Sequence, residues 1–198
     1  MKKDDLQLLL EEQQINVSFT SIMTIISTFF AGLILTKYDS FDISIRVPVL
    51  FLIISVLGFT FSTLIFTNLS GEISRFRRHF KDYIVFGNIL SEYFGVYLLL
   101  FSLPLIIVAV SSDLFLRSTV LISVLVGFFL YNSSKFSLME RDLGQRKSFF
   151  ISLLLVSIVL LMFISQVYQL TTFFIFLSLT LLLSILIISY ITYKINLG

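Results

Sequence analysis

The sequence predicts an all-α fold, a polytopic transmembrane helical bundle of six spans, on three observations. From Ser148 to Tyr193 no charged side chain occurs for forty-six consecutive positions. Four shorter charge-free runs precede that one: Gln13 to Thr36, Val47 to Gly71, Tyr93 to Ser112 and Ser118 to Ser134. Finally, 57% of the 198 residues are hydrophobic and only 13% are charged. A bilayer core about 30 Å thick is crossed by roughly 20 helical residues, so each shorter run reads as one span and the longest as two. The expected spans are residues 15–36, 47–67, 89–111, 115–132, 148–166 and 170–193 of one integral membrane domain covering 1–198.

Met1 to Asn16 reads as a short acidic helix running into the first span. Within that span Thr20, Thr24, Thr28, Gly32 and Thr36 recur at intervals of four, with Ser21, Ser27 and Ala31 beside them. Small residues let helices approach closely in lipid, so this face predicts a packing seam, and its hydroxyls make Thr20, Thr24 and Thr28 candidates for an ion or solute path. Ser55, Gly58 and Ser62 form a similar face on the second span, and Ser123 and Gly127 on the fourth.

Residues 70–87 predict a basic amphipathic cytoplasmic helix opened by Ser70 as a cap, with Ile73, Phe76, Phe80, Tyr83, Ile84 and Gly87 on one side. Its cations Arg75, Arg77, Arg78 and Lys81 suit anionic lipid headgroups or a partner protein. On the third span Gly87, Asn88, Ser91, Glu92 and Gly95 share a polar face, and Pro104 predicts a kink. A carboxylate within a span costs about 2.5–3.5 kcal/mol on insertion scales, so Glu92, with Asn88 as donor one turn before it and Ser91 beside it, heads the path candidates. Either burial in the bundle or a place at headgroup level accommodates it.

Asp113 and Arg117 stand four residues apart, the spacing of an ion pair on one helical turn. The last run divides at Gln166-Val167-Tyr168-Gln169, because unbroken it would extend about 69 Å as a helix. Its two spans carry no Gly, Ala or Pro between Phe149 and Asn196, which predicts a lipid-facing or oligomer-facing hairpin around a core made by the first four spans. The six spans make three helical hairpins, and lysine and arginine divide eleven to three between the two sides, placing both termini in the cytoplasm. The triplets Asn16-Val17-Ser18, Asn68-Leu69-Ser70 and Asn132-Ser133-Ser134 lie on that cytoplasmic side and read as helix-ending or chance sequences.

Absence of cysteine and a single histidine remove thiolate and multi-histidine metal sites, and no cofactor is expected. A net charge of +2 with scattered cations gives no nucleic-acid footprint. No paired aspartates, serine–histidine set or glycine-rich nucleotide loop occurs, so a non-enzyme is expected. Two functions follow for a multi-pass cell-membrane protein: a homo-oligomeric, channel-like bundle, or a substrate-binding or scaffold subunit of a larger membrane transport complex.

Overall fold

The computed structural model describes residues 3–36, 43–71, 80–134 and 137–197. Among them are seven helical elements and no strand: α1 (Lys3–Leu35), α2 (Ile43–Gly71), α3 (Phe80–Val110), α4 (Leu114–Asn132), α5 (Leu138–Leu143), α6 (Gln145–Val167) and α7 (Thr171–Leu197). All but the six-residue α5 are long and apolar enough to cross a membrane, so the chain is a multi-pass membrane protein. The acidic amino-terminal segment continues into the first span without a break. Residues 80–87 belong to α3, whereas Arg75, Arg77 and Arg78 lie outside the described residues. Ser70 closes α2, donating to the carbonyl of Thr67 at 2.9 Å, and so ends one helix where a cap for the next was expected.

Burial places α3 at the centre, with 56% of its apolar window inside the protein, and α2 next at 44%. Helices α6 and α7 follow at 39% each, while α1 and α4 reach only 17%. This overturns the expected core of four leading spans. The main apolar cluster runs from Phe51 on α2 through Tyr93, Tyr97 and Phe101 on α3 to Leu155, Val159 and Met162 on α6 and Phe174, Leu181 and Ile185 on α7. Serine supplies the close-packing positions that glycine and alanine leave vacant in the last two spans. Ser152, Ser165, Ser178 and Ser189 are all buried. Three of them donate to a carbonyl of their own helix one turn back, which hides the hydroxyl from the apolar core.

Helical geometry explains why the threonine stripe fails as a seam. A step of four residues advances about 400° at 3.6 residues per turn, so a strict four-residue line drifts by about 40° each step. Thr20 is buried and accepts from the Thr63 hydroxyl of α2 at 2.8 Å, but Thr28, Gly32 and Thr36 have rotated out to exposure. The line that stays buried is Gln13, Thr20 and Ser27, spaced by seven, because seven residues fall only about 20° short of two turns. On α4 the buried positions are Leu121, Val124, Phe128 and Asn132, which leaves Ser123 and Gly127 exposed.

Helices α2 and α3 approach closely at glycine. A Cβ on Gly58 would lie 2.9 Å from the Gly95 nitrogen, the Leu90 oxygen and the Phe94 carbonyl carbon. One on Gly95 would meet the Phe59 ring at 2.6 Å. Ser55 and Ser62, flanking Gly58 on the same face, donate across to the carbonyls of Gly95 and Gly87 at 2.7 and 2.8 Å. Gly127, by contrast, has nothing within 4 Å of an added Cβ. Replacing Gly58 by alanine therefore lowers stability by about 1–3 kcal/mol, since backbone atoms cannot yield, while Gly127→Ala is neutral or gains up to about 1 kcal/mol of helix propensity. Thermal unfolding of the two variants in one detergent checks the contrast.

Candidate functional site

Helix α3 is not uniform. Between its α-helical ends, Phe80–Ile89 and Leu98–Val110, the eight residues Leu90–Tyr97 form a π-helix. Hydrogen bonding from residue i to i+5 widens the turn and stacks side chains five apart. Glu92 and Tyr97 are such a pair. The wider turn also turns the consecutive residues Ser91, Glu92 and Tyr93 inward together.

Glu92 is 6% exposed, its carboxylate buried among protein atoms. Its Oε1 accepts from the Tyr97 hydroxyl at 3.1 Å and the Ser137 hydroxyl at 3.0 Å, and its Oε2 from the Tyr131 hydroxyl at 3.0 Å. The backbone N–H of Leu138, the first residue of α5, lies 3.0 Å from both oxygens. Ser137 caps α5, accepting from the Met139 N–H at 3.2 Å. The carboxylate thus sits against the start of α5, held by donors from α3, α4 and the connection between α4 and α6.

A second acceptor closes the cluster. The Tyr97 and Ser137 hydroxyls also contact Oδ1 of Asn132, the last residue of α4. Tyr97 and Ser137 each carry one hydroxyl hydrogen, so two protons are shared between Glu92 and Asn132 around a four-oxygen ring. The Asn132 amide donates to the Phe128 carbonyl at 3.0 Å, and its own carbonyl accepts from Ser148 on α6 at 3.2 Å. Asn132-Ser133-Ser134 is therefore where α4 ends and where the next two helices are tied to it. Two further bonds bring α7 to this end of the bundle: Tyr93 to Thr192 at 2.9 Å, and Asn196 donating to Asp142 at 2.8 Å.

Chemically the cluster is saturated. Four donor groups surround one carboxylate, and among the described residues no set of three His, Asp or Glu side chains is placed to hold a metal. The path candidates separate into two places. Ser91 is buried beside Glu92, and Asn88 is half-buried one turn away but does not donate to it. Thr20, Thr24 and Thr28 lie on α1, where Thr20 bonds Thr63, Thr24 donates to the Thr20 carbonyl at 2.8 Å and Thr28 is exposed. Lys81 is exposed on the first turn of α3. Sequence reasoning missed Tyr97, Tyr131, Asn132 and Ser137 as partners of Glu92. Asn132 stood out only in a helix-ending triplet, and the π turn that aligns Tyr97 has no local sequence mark.

A second polar cluster occupies the other end of α3. Gln166 on α6 donates through Nε2 to the carbonyls of Ser44 at 3.0 Å and Leu105 at 2.9 Å. Glu92 and Leu105 are 13 residues apart, about 20 Å along a helix, so the two clusters pin the bundle near its two ends. The expected Asp113–Arg117 pair does not form. Asp113 instead caps α4, accepting from the N–H groups of Phe115 and Leu116, and the Arg117 guanidinium donates to the carbonyls of Ser111 and Val108. A helix start with unsatisfied N–H groups takes the carboxylate, and a frayed helix end takes the cation.

Replacing Glu92 by alanine leaves the Tyr131 hydroxyl and the Leu138 N–H without their acceptor, while Tyr97 and Ser137 keep Asn132 Oδ1, and stability falls by about 2 kcal/mol or more, because stranded buried donors cost about 1–3 kcal/mol each. Tyr131→Phe removes one bond of the set and costs about 1 kcal/mol. Denaturant or thermal unfolding of purified protein, read beside the wild type, gives the ranking.

Comparison of the chain with protein-family models, with curated proteins and with solved structures finds no match, so the functional argument rests on geometry and chemistry.

Proposed function

We propose that the protein is a non-catalytic, homo-oligomeric, channel-like bundle of the cell membrane that passes an ion or small solute between protomers. The observation that carries this reading is the outer surface of α1, where Thr28, Gly32 and Thr36 are exposed and Thr24 is half-buried. Gly32 has nothing within 4 Å of an added Cβ. Small, hydroxyl-bearing faces are the usual means by which helices associate in lipid, and an unpacked one suits a second copy of the same chain.

A filled protomer interior supports placing the path between copies. Tyr93, Tyr97, Phe51, Phe101 and Phe128 are each at most 1% exposed at the centre of the bundle. Glu92, Asn88 and Ser91 stand away from the α1 face and serve the reading as parts of a rigid frame. The eleven-to-three division of cations favours three helical hairpins with both termini in the cytoplasm, where Arg75, Arg77, Arg78 and Lys81 meet anionic lipid headgroups.

The alternative is a substrate-binding or scaffold subunit of a larger membrane complex. The saturation of Glu92, which leaves no open ligand position, favours it over a reading in which that carboxylate binds the transported species. There the α1 face receives a different protein.

Because the chain contains no cysteine, single-cysteine variants report contacts without background. Gly32→Cys is expected to form a disulfide-linked dimer in membranes under mild oxidation, and Phe149→Cys, on the exposed side of α6, is not. Liposomes holding purified protein are expected to pass ions at a rate or selectivity that Thr28→Val alters. A monomer in mild detergent with no dimer at Gly32→Cys, and no flux under any gradient or voltage, sinks the channel reading and leaves the scaffold one.

A further inference from the structure

At the end of the bundle that holds Glu92, a cavity of about 310 Å³ opens between the first turns of α3 and the last turns of α7, lined by Asp82, Tyr83, Phe86 and Tyr193. That volume lies at the lower edge of the range of small-ligand sites, about 300–1,000 Å³. Three of the four lining side chains are aromatic and the fourth is a carboxylate. At about 100° per residue, Asp82, Phe86 and Tyr83 fall within one sector of α3 about 100° wide, with Phe86 between the other two.

Phe86 and Tyr193 meet edge to face, their centroids 6.3 Å apart and their planes at 71°. Two ring faces at such an angle make a corner. Phe86 and Tyr83 are exposed, and Asp82 and Tyr193 half-buried, so the corner is reached from outside the protein. The face of an aromatic ring is the negative side of its quadrupole, and a cation within about 6 Å of a ring centre is attracted by it. Asp82 adds a formal negative charge to the same wall. An anion is repelled by the ring faces and by the carboxylate alike. A single interfacial ring anchors a helix at headgroup level and selects no headgroup, whereas a corner of rings beside a carboxylate selects by charge.

We propose that this cavity binds an organic ammonium group, with the cation in the corner of Phe86 and Tyr193, Tyr83 as a third ring and Asp82 adding its charge. The ammonium of a phosphatidylethanolamine or phosphatidylcholine headgroup has this chemistry, and so has a soluble amine such as choline. The ends of two spans are where headgroups lie, and Lys81 and Lys194, next in sequence to Asp82 and Tyr193, are exposed cations for the phosphate of the same headgroup. Phosphatidylglycerol has the phosphate and no ammonium. The ammonium requirement therefore separates the site from the general attraction of lysine and arginine for anionic lipid.

The test uses the full chain, purified and delipidated in detergent. Phosphatidylethanolamine, phosphatidylcholine and phosphatidylglycerol are offered separately at equal mole fraction, and native mass spectrometry counts the lipid retained; binding of labelled choline is measured in parallel by equilibrium dialysis. The expected result is one phosphatidylethanolamine or phosphatidylcholine per protomer, retained about tenfold over phosphatidylglycerol, the ratio that about 1.4 kcal/mol supplies. Phe86→Leu and Tyr193→Leu, which keep an apolar side chain and remove a ring face, are each expected to abolish that preference, whereas Tyr193→Phe keeps it. The melting temperature without lipid reports whether each variant is folded, and if Phe86→Leu is not, the contrast between Tyr193→Leu and Tyr193→Phe decides. Choline bound at one site per protomer with no lipid retained assigns the same site to a soluble amine. Retention of phosphatidylglycerol equal to that of the ammonium lipids, wild-type preference in a folded leucine variant, or neither lipid preference nor choline binding overturns the proposal.

Discussion

A carboxylate in the interior of an apolar bundle has to be surrounded by donors, and in this protein that requirement organises one whole end of the fold. Glu92 takes them from Tyr97 on its own helix, Tyr131 on α4, and Ser137 and the Leu138 N–H at the start of α5. The four donors lie on three segments of the chain. The carboxylate is therefore satisfied only when α3, α4 and α5 are together, and Asn132 extends the same set to α6 through Ser148. Long-range apolar contacts tolerate sliding, whereas a hydrogen-bonded acceptor does not, so the cluster fixes register in a bundle whose other contacts are mostly leucine, isoleucine and phenylalanine.

The π segment links this polar cluster to the packing of α2. Widening the turn at Leu90–Tyr97 aligns Tyr97 with Glu92 on one side of α3. On the other side it meets Gly58, whose missing side chain lets the backbones of α2 and α3 approach. Ser55 donates to the carbonyl of Gly95 inside the widened turn, so the irregular backbone gains a partner in place of one its own helix supplies less well. Close approach, serine donation and the buried carboxylate thus depend on one another, and α3 is the most buried span because it serves all three.

Six long apolar helices were legible in the sequence because charge-free length is a direct constraint of the bilayer, and Glu92 stood out because a lone carboxylate beside such a run is rare. Other properties belong to three-dimensional packing. A stripe of threonines at intervals of four looks continuous on paper, yet helical drift carries Thr28 and Thr36 away from the face that Thr20 shares with Thr63. Absence of glycine and alanine made the last two spans look peripheral, whereas their buried serines fill the same positions with a back-bonded hydroxyl. Asp113 and Arg117 have the spacing of an ion pair, but unsatisfied helix ends stand closer to each than they do to one another.

The two polar clusters differ in how much bonding capacity they retain. At the Glu92 end each acceptor oxygen of the carboxylate has at least two donors in reach, and the surrounding hydroxyls are shared with Asn132. A further ligand would have to displace bonds already made. At the Gln166 end the anchoring bonds are made as well, and Gln166 Oε1, buried like the rest of its side chain, has no partner among the described residues. Saturation suits the first cluster to holding helices together.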